Sequence, residues 1–544
     1  MVPARCGYDP ERRCLDGTRE KVLQMVEDWI DDDTNGSANL LWIHGLAGSG
    51  KSSIASSIAH RFDQPGRKCL GASFFCKRDD EHLREPTLII PTIVSHLATV
   101  HRLFADAVAI TLRKDPDLGK SAIMLQFNGL IKGPLAQVAR SGVTRPLVVI
   151  IDALDEYGTE STRRQLLVNF LEMSSLTRWL KIIVTSRPDQ DIRTCFDQAV
   201  RKFCRLNLDA EDSFDDIRKF AQKRLEDIAK KRFLAPAWPG EWMTRELAHR
   251  ASGLFVWVQT ACAFIENTPD PDYRLRVVIS ADATEKTTYT LLDELYKAAL
   301  RYAFGEYDDT AQIFRKVVGA VVAVATRTPL PIDALATLLE GHVSWNVVAS
   351  TIRSLGSVLY EDATRGGAVR VCHPSFLDFL TDSSRSSHFF IDLQWQNSRF
   401  ACICLRTMIT GLKFNICQLP SSYYANADVN DLEDRIEHAI PSSLRYSSLH
   451  WASHVGETPR GITEAENIVL ELKLFFDEAR PLYWLEALSL LGGVKFAVSG
   501  LRQVVEWLQV SIALVSIVFP EIRNNIARTP RMIAPVSLRI CTAS

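Results

Sequence analysis

Residues 40–62 read LLWIHGLAGSGKSSIASSIAHRF, and the order of residue types in this stretch decides the fold. An apolar run of strand length comes first, then a glycine-rich turn, then apolar positions at helical spacing. Gly45, Gly50, Lys51 and Ser52 satisfy G-x-x-x-x-G-K-[ST], the loop that wraps a nucleotide's phosphates. A strand feeding such a loop aims backbone N–H groups inward as an anion nest, and the positive end of the next helix adds to it. On this reading Gly45, Ala47, Gly48, Ser49, Gly50, Lys51, Ser52 and Ser53 form the nucleotide cradle. Lys51 reaches the β and γ phosphates as a point charge, and the Ser52 hydroxyl ligates Mg²⁺. A chance match in a glycine turn would lack the strand before it and the helix after it.

A second element has to hold the metal. LVVIIDALDE (147–156) delivers Asp152 at the C-terminal end of a buried strand, where open α/β sheets bind ligands. A carboxylate there coordinates Mg²⁺ directly or through water. Asp155 and Glu156 follow at a spacing that lets one of them orient or deprotonate a water attacking the γ phosphate. Taken alone, an acidic turn after a strand is more often a solvated loop. KIIVT (181–185) runs into SRP and puts Arg187 on the same sheet edge, where its fork can read whether the γ phosphate is present. The alternative for Arg187 is a surface arginine before a turn proline.

Further apolar runs stand at 70–76 (LGASFFC) and 203–208 (FCRLNL), with stretches long enough for crossover helices between the runs. Near-continuous apolar strands alternating with helices indicate a parallel sheet covered on both faces. The fold class is therefore α/β: a P-loop NTPase with a parallel sheet over 38–210, followed by a helical lid, a winged-helix-like domain and an all-α C-terminal region. Ahead of the sheet, 1–37 holds a linker and a helix with Val22, Met25, Val26, Trp29 and Ile30 on one face and Thr18 as N-cap. The lid occupies 211–285. Over 286–385, short helices lead to two apolar segments flanking DATRGG, which predicts a hairpin inside a small helical domain. Residues 386–528 read as helix, with Trp395, Trp451, Trp484 and Trp507 in the core, and 529–544 as a tail. The apolar stretch 504–519 is shorter than the roughly 20 residues a membrane span needs and reads as a core helix.

Composition names no partner. A net charge of -2 over 544 residues supplies no field to attract nucleic acid or an anionic membrane. Twelve cysteines occur without a C-x-x-C pair, so buried reduced thiols are expected. The N-terminal MVPARCGYDPERRC has charges and prolines where a signal peptide needs an apolar run, which points to a reducing, cytoplasmic setting.

GLAGSGKSS, IIDALDE and IVTSRPD together resemble NACHT-domain proteins of the signal-transduction ATPase class, especially the large fungal set related to NOD-like receptors. The likeness runs from about residue 14 to about residue 490 and is most specific in those three motifs. The small Ala153 with Asp155 and Glu156 separates the pattern from plant resistance-protein relatives. By that resemblance DGTRE places Gly17, Thr18 and Arg19 near the adenine or the hinge, although a plain helix start explains them as well. ASGLFVWV is similar to the helical-domain motif that packs against the base, with Phe255 where many relatives have proline. VCHPSFLDFL is similar to the winged-helix segment whose histidine touches the β phosphate of ADP, which makes His373 a candidate latch.

The resemblance implies an ATP/ADP-dependent switch with slow hydrolysis, and self-association or association with full-length NACHT relatives on activation. No second arginine stands at a recognisable finger spacing, so fast turnover is not expected. About 14 residues precede the similar region and no propeller or solenoid pattern comes after residue 500, so a truncated paralogue, a fragment or a regulator of longer relatives is expected. Two other classes stay open: a small-molecule kinase, which needs a second substrate motif, and a nucleotide-independent scaffold.

Overall fold

The five apolar runs form one parallel sheet from β1 (Leu40–His44), β2 (Leu70–Phe75), β3 (Leu147–Asp152), β4 (Leu180–Ser186) and β5 (Cys204–Asn207). The computed structural model describes residues 7–32, 38–76, 87–138, 146–280, 288–305, 308–421, 425–459 and 462–518. The strand order is β2-β3-β4-β1-β5, with every neighbouring pair parallel. β4 thus inserts between β1 and β3. Its register sets Thr185 opposite Ile43 and Ser186 opposite His44, while Val184 faces Ile151 on the other side. The C-terminal ends of β1, β4 and β3 therefore finish side by side.

Period-two side-chain alternation distributes each strand between two cores. Leu40, Trp42, Val149, Ile151, Ile182 and Val184 join one, with Phe74, Phe170 and Phe196. Leu41, Ile43, Val148, Ile150 and Ile183 join the other, with Ile54 and Ile58 from helix Lys51–Asp63 and Val22 and Val26 from helix Glu20–Asp31. Both faces are covered, which is why the strands read as unbroken apolar runs.

By contact density the chain divides into two compact units. The first comprises Met1–Tyr296 with His373–Ser375, and the second Lys297–Cys372 with Phe376–Ser544. In the first, helix Phe214–Lys231 comes after β5 and buries Ile217, Ala221, Leu225 and Ile228 on one stripe. The second is mainly helical and holds the antiparallel hairpin β6 (Leu359–Asp362) and β7 (Ala368–Val371). Asp362 Oδ1 accepts from the Thr364 N–H at 3.1 Å, and Gly366 and Gly367 supply the positive φ values of 65° and 74° that close its turn. Trp451, Trp484 and Trp507 are buried as expected. The ring nitrogens of Trp484 and Trp507 donate to the Ser448 and Thr458 carbonyls at 2.8 and 3.1 Å.

Three local expectations are corrected. Trp395 is 44% exposed and stands outside the core, with the Arg399 guanidinium 5.0 Å from its ring centroid. Met25 is exposed, and Leu23 takes the inward position instead. Thr18 does not cap helix Glu20–Asp31: its hydroxyl donates to the Leu15 carbonyl at 2.6 Å, and left-handed Arg19 (φ 57°) occupies the cap position. The last helix runs Val494–Val518, longer than its apolar core suggests. Among the described residues no helix is long and apolar enough to cross a membrane. The tail expected over 529–544 lies outside the described residues.

Candidate phosphate-binding site

The loop between β1 and helix Lys51–Asp63 turns on two left-handed glycines, Gly48 (φ 83°) and Gly50 (φ 95°). At Gly48 the requirement is spatial as well. An added Cβ would lie 2.1 Å from Val256 Cγ1, because helix Phe255–Glu266 abuts the loop and the Val256 N–H donates to Gly48 O at 3.3 Å. Lys51 Nζ donates to Gly45 O and Leu46 O at 2.7 and 2.8 Å. Burial pushes this amine below its ordinary pKa; Asp155 and Asp152 oppose the shift and Arg187 reinforces it.

Asp152, 2% exposed, ends β3 as expected. The Thr185 hydroxyl, at the end of β4, donates to its Oδ1 at 2.6 Å, and the nearby Ser52 hydroxyl also favours the charged carboxylate. Burial raises the carboxyl above the usual range, and those two hydroxyls and the Lys51 charge pull it back. Thr185 Oγ1 also accepts from the Ala153 N–H at 3.0 Å. Ala153 is left-handed (φ 55°) and breaks the strand into the short turn Leu154–Glu156. Asp155 accepts from the Arg187 backbone N–H at 3.0 Å and pairs with its Nε at 3.3 Å. Glu156 sits half-buried at the end of the same turn.

Ser52 and Asp152 offer neighbouring hard oxygen donors, a set suited to Mg²⁺, which takes one or two protein ligands and completes its shell with phosphate and water. Among the described residues no group of three or more His, Cys, Asp or Glu forms a self-sufficient metal cage.

His373 belongs by contact density to the first unit. Its Nδ1 accepts from the Ser375 N–H at 3.1 Å, which fixes the proton of the neutral ring on Nε2. The Ser375 hydroxyl bonds to His373 Nδ1 at 2.7 Å and to Tyr296 OH at 2.8 Å.

Sequence reasoning did not find Thr185, Asp209 or Val256, each of which touches the loop or its acids only after folding. Arg19 proves more engaged than a helix start requires. It is 2% exposed, its Nη2 donates to Ser49 O at 2.8 Å, and its guanidinium stands 5.0 Å from the Phe255 ring centroid. Its Nε and Nη1 have no hydrogen-bond partner among the described residues.

Residues 17–187, from the segment ahead of the loop through Arg187, match the family model for the N-terminal region of nephrocystin 3. Over 514 residues the chain is 26% identical to vegetative incompatibility protein HET-E-1 of Podospora anserina, covering 89% of this chain and 35% of that protein. The resemblance to NACHT-type signal-transduction ATPases holds. The chain spans about a third of the length of that curated relative. Among solved structures it is similar to a signal-transduction ATPase with a tetratricopeptide-repeat sensor from Pyrococcus horikoshii, at 11% identity and TM-score 0.40, covering 99% of this chain and 79% of that one. A Walker-type ATPase of Pyrococcus abyssi matches at 14% identity and TM-score 0.32, covering 66% of this chain and 94% of that one.

Proposed function

We propose that the protein is an ATP/ADP-dependent conformational switch in signalling, of the innate-immunity or heterokaryon-incompatibility kind, with slow ATP hydrolysis. The observation that carries this reading is the meeting of the Ser52 hydroxyl and the Asp152 carboxylate within the field of Lys51. Those three groups are what a phosphate tail and its cation require. The likeness to a vegetative incompatibility protein supports a signalling role.

In this reading Lys51 leaves its two loop carbonyls for the β and γ phosphates, and Ser52 and Asp152 hold Mg²⁺. Bound Mg²⁺ neutralises charge on the phosphate oxygens. Asp155 or Glu156 orients the attacking water. Arg187 reads the γ phosphate and is held back by its pairing with Asp155, which favours slow turnover. Arg19 offers, to acceptors of a purine, two donors beside the loop that have no hydrogen-bond partner among the described residues. His373, with its proton on Nε2, donates to the β phosphate of ADP, and exchange for ATP removes that bond. The difference in nucleotide affinity between two states sets their populations. The nucleotide domain is taken as 38–210, the lid as 211–285, the winged helix as 286–385 and the helical region as 386–528. The setting is cytoplasmic, and activation proceeds by self-association or association with longer relatives.

Purified protein incubated with labelled ATP, Mg²⁺ and a metabolite extract tests this. Slow conversion to tightly retained ADP is expected. A phosphorylated acceptor would instead make the protein a kinase, and absence of any retained nucleotide would make it a scaffold; either result overturns the switch.

A further inference from the structure

The peptide joining Gly45 to Leu46 is held on both edges. Its carbonyl, Gly45 O, accepts from Lys51 Nζ at 2.7 Å, and the next carbonyl, Leu46 O, accepts from the same amine at 2.8 Å. Its N–H, that of Leu46, donates to both carboxylate oxygens of Asp209, at 2.9 and 3.1 Å. The C=O and N–H of a trans peptide point in opposite directions. Asp209 and Lys51 therefore grip opposite edges of one rigid plane. Asp209 is itself fixed, because its backbone N–H donates to Asn207 Oδ1 at 3.1 Å. Its Oδ1 also lies 3.0 Å from where a Cβ on residue 45 would stand, so glycine is what permits the approach.

Asp209 lies in the turn that leaves β5 for helix Phe214–Lys231. A carboxylate accepting from a peptide N–H polarises that peptide and strengthens its carbonyl as an acceptor. The negative charge also attracts the Lys51 amine directly. A carboxylate that only closed a turn would face away from the phosphate loop; this one ends on the loop's first amide.

We propose that Asp209 is a positioning residue for Lys51: by fixing the Gly45–Leu46 peptide it sets where the amine stands, and it ties the phosphate grip to the connector out of β5. The proposal rests on the phosphate-binding reading of the loop. Movement of the connector alters the carbonyls that compete with phosphate for Lys51. Conversely, transfer of the amine to phosphate loosens the connector's anchor.

The test uses the full chain with Asp209→Ala and Asp209→Asn. In nucleotide-free protein, the rate at which an amine-reactive ester acylates Lys51 is read by peptide mass spectrometry, with exposed Lys120 as internal standard. In the alanine variant Lys51 labelling rises several-fold, while asparagine, whose amide oxygen still accepts, stays within about two-fold of wild type. The Kd for Mg²⁺–ADP rises on the order of ten-fold in the alanine variant and much less in the asparagine variant. Where the alanine variant does not fold, Asp209→Glu replaces it, since one added methylene displaces the carboxylate. Equal Lys51 labelling in all variants, or unchanged ADP affinity in the variant that removes or displaces the carboxylate, overturns the proposal. If wild type binds no ADP, the phosphate reading fails, and the labelling rates alone still decide the role of Asp209.

Discussion

Lys51 and Asp152 are both charged groups drawn into a desolvated site, and each is pushed toward its neutral form. Asp155 and Asp152 oppose that shift at Lys51, and the Thr185 and Ser52 hydroxyls with the Lys51 charge oppose it at Asp152. Lys51→Ala is expected to abolish nucleotide binding, read by equilibrium dialysis with labelled ADP; retained affinity would exclude the loop as the site. Thr185→Val removes a 2.6 Å bond to Asp152 and so raises the carboxyl's pKa further. A proton on Asp152 competes with Mg²⁺, so Mg²⁺-dependent ADP binding should weaken as pH falls, and the variant should lose it at higher pH than wild type. Superimposable pH profiles would show that Thr185 does not tune Asp152. Gly48→Ala forces a side chain into a left-handed backbone and against Val256. It should cost about 2 kcal/mol or more, seen as a lowered unfolding midpoint. The loop motif and the acid were legible in the sequence because each is a local pattern. Thr185, which supports the acid, was not, because it belongs to a different strand.

At the scale of elements, the sheet was legible because strands covered on both faces must be apolar throughout. Ile150 is completely buried in the core that also holds Ile54 and Ile58. Ile150→Ala should destabilise the first unit by about 2–5 kcal/mol, measurable by denaturant titration. Strand order was not legible. Nothing in KIIVT says that it lies between LLWIH and LVVIID, yet that insertion sets Arg187 beside Asp155. The hairpin around DATRGG was readable because its glycines and aspartate carry the turn chemistry locally. Trp395 was misread since an aromatic on a helix does not reveal which side faces out. If His373 is the latch, His373→Ala should shorten ADP retention and favour larger assemblies, read by dissociation kinetics and mass in solution. Unchanged ADP affinity would remove it from that role.

At the scale of the whole molecule, the second unit carries a buried polar network remote in sequence from the motifs. His454, completely buried, accepts from Tyr446 OH at Nε2 over 2.7 Å and donates from Nδ1 to Asn397 Oδ1 over 2.8 Å. Asn397 donates to Glu457 at 3.1 Å, and Glu457 pairs with buried Arg327 at 2.8 Å. Burial, with the Arg327 charge and His450 nearby, holds the His454 pKa well below its ordinary 6.5. Above that pH the ring is neutral in the folded and unfolded chain alike, and its contribution is complete. As pH falls below about 6.5 the unfolded chain takes a proton that the folded ring resists, so stability declines by up to about 1.4 kcal/mol per pH unit. His454→Gln should flatten that decline between about pH 6.5 and 5, in unfolding midpoints measured across the range, while lowering stability at pH 7. An unchanged slope would place the proton uptake elsewhere.

The sequence by itself determined the phosphate loop, the acid that answers it, the covered parallel sheet and the helical bias of the chain beyond the sheet, because those properties are written in residues adjacent or periodically spaced along the chain. Tertiary structure alone decided which strand lies beside which, that Thr185 supports Asp152, that Arg187 pairs with Asp155, and that Arg19, Asp209 and Val256 converge on the loop. These contacts join positions separated by tens to hundreds of residues, and side-chain type carries no address for a partner that distant; the packing of the sheet and its helices supplies it.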